Sequence, residues 1–420
     1  MNLNIKYDEY RLSNGMRVIL HKDKSTPIVS VNVWYHVGSW NERPGKTGFA
    51  HLFEHMMFQG SQNVGSDMHF RLLQSIGGSV NGSTSFNRTN YYETVPSHYL
   101  ELALWLEADR MGFLLPAMTQ AKLDNQIDVV KNERRQTVDN QPYGTWLEKI
   151  LETAYPADCS YHWPIIGYMD DIDNASLQDV SEFFKTYYSP ANASLCIAGD
   201  FDDVEAKEYV EKYFGPIAGV KSIPAVKNTF SGQFSGEKRE NVKDNIQLPR
   251  IHMAYHIPAF GEKDWYTADF LSDLLSTGKS SRLYHSLVYK QQLAQDAYAF
   301  TFGTEGTALM VFVATAQNGV PIEKLEKAMQ KEIDEVIVGH VENSEIERIN
   351  NQIDAQKLRE LQSISHIADS LNVAAVHFDD PGYINRELDI YGAITKEELL
   401  NMAQKYLTEN NRVVLNYLPK

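Results

Sequence analysis

Two histidines four residues apart with a glutamate between them, His51-Leu52-Phe53-Glu54-His55, are the residues of this chain best placed to do chemistry. On an α-helix, positions i and i+4 share a face, so both imidazoles can reach one ion, with Glu54 next to the second of them. That arrangement suits a zinc site with an adjacent general base. The surrounding residues Phe49, Ala50, Leu52, Phe53, Met56, Met57 and Phe58 are apolar, so the helix must be largely buried, and a carboxylate buried between histidines needs a partner. A metal is the simplest one. The competing account is a core helix whose histidines are satisfied by backbone carbonyls, and a glutamate within so apolar a run weighs against it.

A two-histidine zinc site needs a third protein ligand and an open position for water. The helical period after Gln120 offers a candidate, because Leu123, Ile127 and Val130 mark an apolar stripe whose flank carries Gln126 and, seven residues on, Glu133. Read by itself, Glu133 is more readily a solvated helix residue that pairs with Arg134 or Arg135 on the surface than a ligand.

The elements that must position these residues form a doublet. Tyr7 to Leu20 reads as two strands around an Asn14-Gly15 turn, followed by a strand over 28–37, the motif helix over 48–58 and a helix over 68–76. A Gly77-Gly78 break, strands within 79–96, helices over 99–111, 120–139 and 177–188, and a strand over 193–198 complete the first half. Residues 215–236, with Gly-Pro, Ile-Pro and Ser-Gly breaks, read as a linker between a half over 1–214 and a half over 237–420. The second half repeats the order: a strand over 250–255, helices over 265–275 and 281–292, a strand over 307–316, long helices over 322–338 and 344–373, and a strand over 413–418. The expected fold class is α+β, two duplicated halves of antiparallel-rich sheet packed with helices and arranged as a clamshell.

Composition narrows the function. Among 420 residues, Lys plus Arg number 39 and Asp plus Glu 55, a formal charge of −16 that repels nucleic acid and anionic membranes. The two cysteines, Cys159 and Cys196, are too few for a disulfide framework and read as buried free thiols, a single bridge in an oxidising compartment being the alternative. Neither a secretory leader nor a membrane span is legible in the chain, which makes a cytoplasmic location the expectation, or a periplasmic one if a signal segment has been removed.

The inverted zinc motif His51 to His55, followed by Glu133 within Val129-Val130-Lys131-Asn132-Glu133-Arg134-Arg135, resembles the inverzincins of the pitrilysin, insulin-degrading and mitochondrial-processing peptidase family. Further stretches agree: the Asn14-Gly15 turn, Val37-Gly38-Ser39, Gly77-Gly78 followed by Asn81-Gly82-Ser83-Thr84, and Tyr187-Tyr188-Ser189-Pro190 ahead of Ala198-Gly199-Asp200. The likeness covers nearly the whole chain and is greatest to short bacterial members. It implies a zinc metalloendopeptidase acting on unfolded peptides, with one Zn2+ per chain held by His51, His55 and Glu133, and Glu54 as the base. It also implies that Asn81, Ser83 and Thr84 belong to an edge strand that binds extended substrate. A His/His/Glu site of this kind also accepts manganese and cobalt.

Two departures from the family pattern bear on mechanism and assembly. A second glutamate that often precedes the third ligand by seven residues is Gln126 here, which can orient a ligand but adds no charge. An arginine and a tyrosine seven apart, which active members take from the second half or from a partner, align with Val288 and Gln295; Arg282 and Tyr289 have the spacing but stand six residues early. The resemblance therefore implies a heterodimer with a related chain that supplies the pair, a homodimer being the alternative. In the second half, Phe270, Asp273 and Leu274 align with His51, Glu54 and His55, so that half is expected to be non-catalytic. The opposing readings are a structural or assembly subunit that keeps the fold without proteolysis, and a metal-binding module without catalysis.

Overall fold

The computed structural model describes residues 3–220, 222–226, 230, 234 and 236–420. The segment expected as a linker, 215–236, lies partly outside them, and its described residues form neither helix nor strand.

The Asn14-Gly15 turn opens the first sheet. Gly15 takes φ 93°, in the left-handed region that favours glycine, and the turn joins β1 (Asp8–Arg11) to β2 (Arg17–Lys22). With β3 (Ile28–Tyr35), β4 (Ser79–Thr84), β5 (Thr89–Pro96) and β6 (Ala193–Gly199), they form a six-stranded sheet in the order β1-β2-β6-β3-β5-β4. The second sheet comprises β7 (Lys238–Asp244), β8 (Arg250–Ile257), β9 (Ala294–Phe302), β10 (Ala308–Ala316) and β11 (Arg412–Pro419), in the order β7-β11-β8-β10-β9. The chain visits β2 to β6 and β7 to β11 in the same spatial order. Within this shared set of five, the first strand pairs in parallel with the last, β2 with β6 and β7 with β11, and the remaining pairs are antiparallel.

Central strands β6 and β10 are buried at every residue, which requires cover on both faces of each sheet. One face of each is covered by helices of its own half. The opposite faces are covered reciprocally. The helix Trp146–Ala154 lies on the second sheet, where Ile150 and Leu151 join Ala254, Val311 and Leu415. The helix Ile364–Phe378 lies on the first, where Ile367 and Leu371 join Ile19 and Cys196.

This exchange explains a difference from the sequence reading. The helical pattern over 344–373 is two helices, Asn343–Glu360 and Ile364–Phe378, broken where the chain leaves one sheet for the other. Ser363 caps the second by accepting the His366 N–H. Likewise the pattern over 120–139 is an α-helix, Gln120–Arg134, that widens into a π-helix over Arg135–Asp139. The stretch over 281–292 contains a π-helix, Tyr284–Lys290. Among the described residues, no helix is long and apolar enough to cross a membrane.

Candidate active site

The motif helix, Phe49–Met56, buries Phe49, Ala50, Leu52, Phe53 and Met56 and leaves His51, Glu54 and His55 on a partly open face. Its N-terminus is fixed by Glu42, whose carboxylate accepts the N–H groups of Gly48 (2.9 Å) and Ala50 (2.7 Å) and the indole N–H of Trp163 (2.9 Å). Burial pushes the Glu42 carboxyl up to about 8 against those donors. Gly48 has φ 75°, and a Cβ there would lie 2.4 Å from the Ile166 carbonyl oxygen, so both conformation and space demand glycine. The sequence signals neither contact: Glu42 lies outside the motif helix it caps, and Trp163 and Ile166 are far along the chain.

Glu133, near the end of the Gln120–Arg134 helix, faces the two histidines. Its Oε1 lies 3.8 Å from His51 Nε2 and its Oε2 lies 3.3 Å from His55 Nε2. The neighbouring arginines are turned away: Arg134 binds Glu148 and the Gly167 carbonyl oxygen, each at 2.7 Å, and Arg135 donates to Asn132. One donor atom from each of the three residues falls within 4.8 Å of the others, a separation that two metal–ligand bonds of about 2.1 Å can nearly span. The donor set, two imidazole nitrogens and one carboxylate, fits zinc. Burial, followed by the neighbouring His55, pulls His51 down to about 4, so it is neutral as a ligand must be. The hydrogen bond with His55 holds Glu133 below the usual carboxylate range.

Glu54 stands beside this set and is directed elsewhere. Its Oε2 accepts the Thr84 hydroxyl at 2.6 Å, which ties the carboxylate to β4. Burial raises its carboxyl, opposed by that hydrogen bond and by His55 and Arg88. Gly82, two residues before Thr84, would bring a Cβ to 3.0 Å from Glu54 Oε1 and to 3.2 Å from Phe58 and Tyr91. A Gly82→Ala variant should therefore displace the carboxylate, lowering kcat about tenfold to a hundredfold with zinc content unchanged; steady-state kinetics beside metal analysis checks this.

Of the residues assigned to the edge strand, Thr84 touches Glu54, whereas Ser83 bonds Asn90 on the opposite face (2.7 Å) and Asn81 is exposed. β4 ends the sheet, so one backbone edge lacks a neighbouring strand. The Ser85 N–H donates to the Arg88 carbonyl across a two-residue turn (2.8 Å), and antiparallel alternation from there turns the N–H and C=O groups of Val80, Gly82 and Thr84 outward.

Gln126 is buried two turns before Glu133, and its amide donates to Asn125 at 2.9 Å; no described contact joins it to the three candidate ligands. Val288 packs against the second core and Gln295 is exposed on β9. Arg282 is held by Glu345 and the His340 carbonyl oxygen, and Tyr289 is 70% exposed. In the helix Lys263–Ser276, Phe270 and Leu274 are core residues and Asp273 accepts from Thr277 at 2.6 Å.

Comparison with known proteins identifies the family. Residues 17–160 match the insulinase family, peptidase family M16, and residues 174–353 match the M16 inactive domain. A zinc protease of Helicobacter pylori, PqqE, is 30% identical over 420 residues, covering 99% of this chain and 93% of its own length. The chain belongs to peptidase family M16. It is by that membership a zinc protease, α+β in fold with two helix-packed sheets. The crystal structure of a protease from Helicobacter pylori superposes with a TM-score of 0.94 at 30% identity, covering 99% of this chain and all of that one. An Arabidopsis thaliana relative, named for the beta subunit of a mitochondrial-processing peptidase, is 23% identical over 370 residues, 86% of this M16 chain and 68% of its own.

Proposed function

We propose that this M16 protein is an endopeptidase for extended, unfolded peptides, which add to the free edge of β4 and are cut beside His51, His55 and Glu133. The observation that carries the reading is the direct link between Glu54 and Thr84 at 2.6 Å, which couples the candidate base to the strand where a substrate backbone would lie. A bound zinc ion would polarise the scissile carbonyl and make hydroxide available near neutral pH. His51, His55 and Glu133 would hold it. Glu54, anchored through Oε2, keeps Oε1 to take a proton from water and return it to the leaving amine. Main-chain pairing with Val80, Thr84 and, once Asn81 Oδ1 releases its N–H, Gly82 fixes the peptide without reading its sequence.

Activity further requires a second, related chain. The positions aligned with the family's arginine and tyrosine are Val288 and Gln295, and Arg282 is engaged with Glu345. The test is hydrolysis of a quenched, mixed-sequence peptide by the purified chain with and without proteins that co-purify from its source. Chelation should abolish activity and zinc should restore it. A fully active homodimer would sink the partner requirement, and metal-independent hydrolysis would sink the zinc mechanism.

A further inference from the structure

The face of β4 turned away from Glu54 borders a cavity of about 210 Å³ between the first sheet and the start of the helix Ile364–Phe378. Arg88 forms part of its wall. The guanidinium sits over the Trp34 ring at 5.3 Å, and its Nη1 donates to the Ser83 carbonyl oxygen (2.8 Å), to Asn90 Oδ1 (2.9 Å) and to the Ser83 hydroxyl. Its Nε and Nη2 hydrogens have no acceptor among the described residues, and neither atom is sealed in the interior. One edge of a mostly buried guanidinium is thus open to the cavity.

Asp369 also lines the cavity, but its carboxylate does not occupy that edge. Asp369 Oδ1 already accepts from Asn32 (3.1 Å), Trp34 (2.9 Å) and Asn90 (3.1 Å), and its remaining influence on Arg88 is through space. Ser365 and the exposed His366 line the cavity from the first turn of the helix, whose partial positive charge also favours an anion. The Nε/Nη2 edge of arginine matches the two oxygens of a carboxylate.

We propose that this cavity is a subsite for a carboxylate of the bound peptide. The inference rests on the reading that substrate adds to β4. In an added strand, side chains alternate between faces, so those pointing away from Glu54 are the ones directed towards Ser83 and Arg88. The carboxylate is supplied by an aspartate or glutamate side chain or by a free C-terminus. Backbone pairing alone would leave the enzyme indifferent to sequence, and this subsite gives it a preference.

The test measures binding, by fluorescence anisotropy, to the zinc-loaded Glu54→Gln full chain, assembled with any related chain that co-purifies with it. The probes are labelled peptides carrying Asp, Glu, Asn, Gln or Lys at each scanned position, with free or amidated C-termini. At one position, or at the free C-terminus, the carboxylate form should bind about tenfold tighter than its amide. Arg88→Gln should remove that difference. His366→Glu, at an exposed position where an acidic residue suits the helix start, should weaken the carboxylate peptide and favour the lysine one, whether or not the Arg88 variant folds. Which arm responds separates side chain from terminus. Equal binding of carboxylate and amide peptides throughout, or a preference that survives both substitutions, would overturn the subsite. Failure of every peptide to bind would overturn the strand-addition reading and the subsite with it.

Discussion

Glu54→Gln should reduce kcat/KM for peptide hydrolysis by about a thousandfold while leaving the fold and the zinc content intact. The substitution is nearly isosteric, and its side-chain oxygen can still accept the Thr84 hydroxyl that now bonds Glu54 Oε2, so the side chain keeps its place. What it loses is the capacity to take a proton. Zinc should stay because Glu54 is not one of the three residues whose donor atoms converge within 4.8 Å. Glu133→Gln supplies the contrast: it weakens the carboxylate ligand, so zinc content and activity should fall together. Peptide kinetics with metal analysis on both variants separates an enzyme from a metal-binding module. A Glu54→Gln chain that kept more than about a tenth of the activity would remove Glu54 from the base role.

The candidate site was legible in the sequence where it depended on local spacing. The i, i+4 histidines need only one helix turn to converge, and burial of Phe49, Leu52 and Phe53 follows from composition. Glu133 was ambiguous from its neighbours, since Arg134 and Arg135 could have paired with it. In the fold Arg134 turns to Glu148 and Gly167, a tertiary event that leaves Glu133 facing the two histidines. The Glu42 cap, the Gly82 approach to Glu54 and the open edge of Arg88 were not legible, because each partner is placed by a different element. Strand β7, Lys238 to Asp244, was hidden for another reason: it is a charged edge strand with little apolar alternation to find. The exchange of helices between the halves left one trace, Ser363, a good N-cap inside what read as continuous helix.

That exchange makes the contact between the helix Trp146–Ala154 and β8 sensitive to acid in a specific pH window. His252 and His256, on β8, face the helix Trp146–Ala154: His252 stacks on Trp146 with rings parallel to within 1°, and His256 Nε2 lies 3.1 Å from the Ala154 carbonyl oxygen. Burial, with Arg250 adding to it at His252, pulls both down to about 3. The unfolded chain binds those protons near pH 6.5 and the folded chain does not, so their contribution is complete above about 6.5 and is lost as pH falls towards 3. At about pH 5 each histidine costs roughly 2 kcal/mol, or roughly 4 kcal/mol for the pair. Carboxylates such as Glu305, held down to about 2 by His36 and His377 against the cost of burial, lose their contribution only below the usual carboxylate pKa. His36, raised by Glu305 against burial, acts in the opposite sense. His51 and His69, also pulled down by burial, act in the same sense, and Glu42, pushed up to about 8, in the opposite one, but all three titrate alike in a His252→Phe/His256→Gln variant. Urea unfolding at about pH 7.5 and pH 5 should therefore show a change in stability that differs between wild type and variant by roughly 4 kcal/mol, the wild type losing more; equal changes in both would exclude these histidines. The effect should reach the metal site. Glu148 lies on the helix that would undock, and it holds Arg134, the residue next to Glu133. Zinc release should accordingly follow the unfolding transition in the wild type and shift to lower pH with it in the variant.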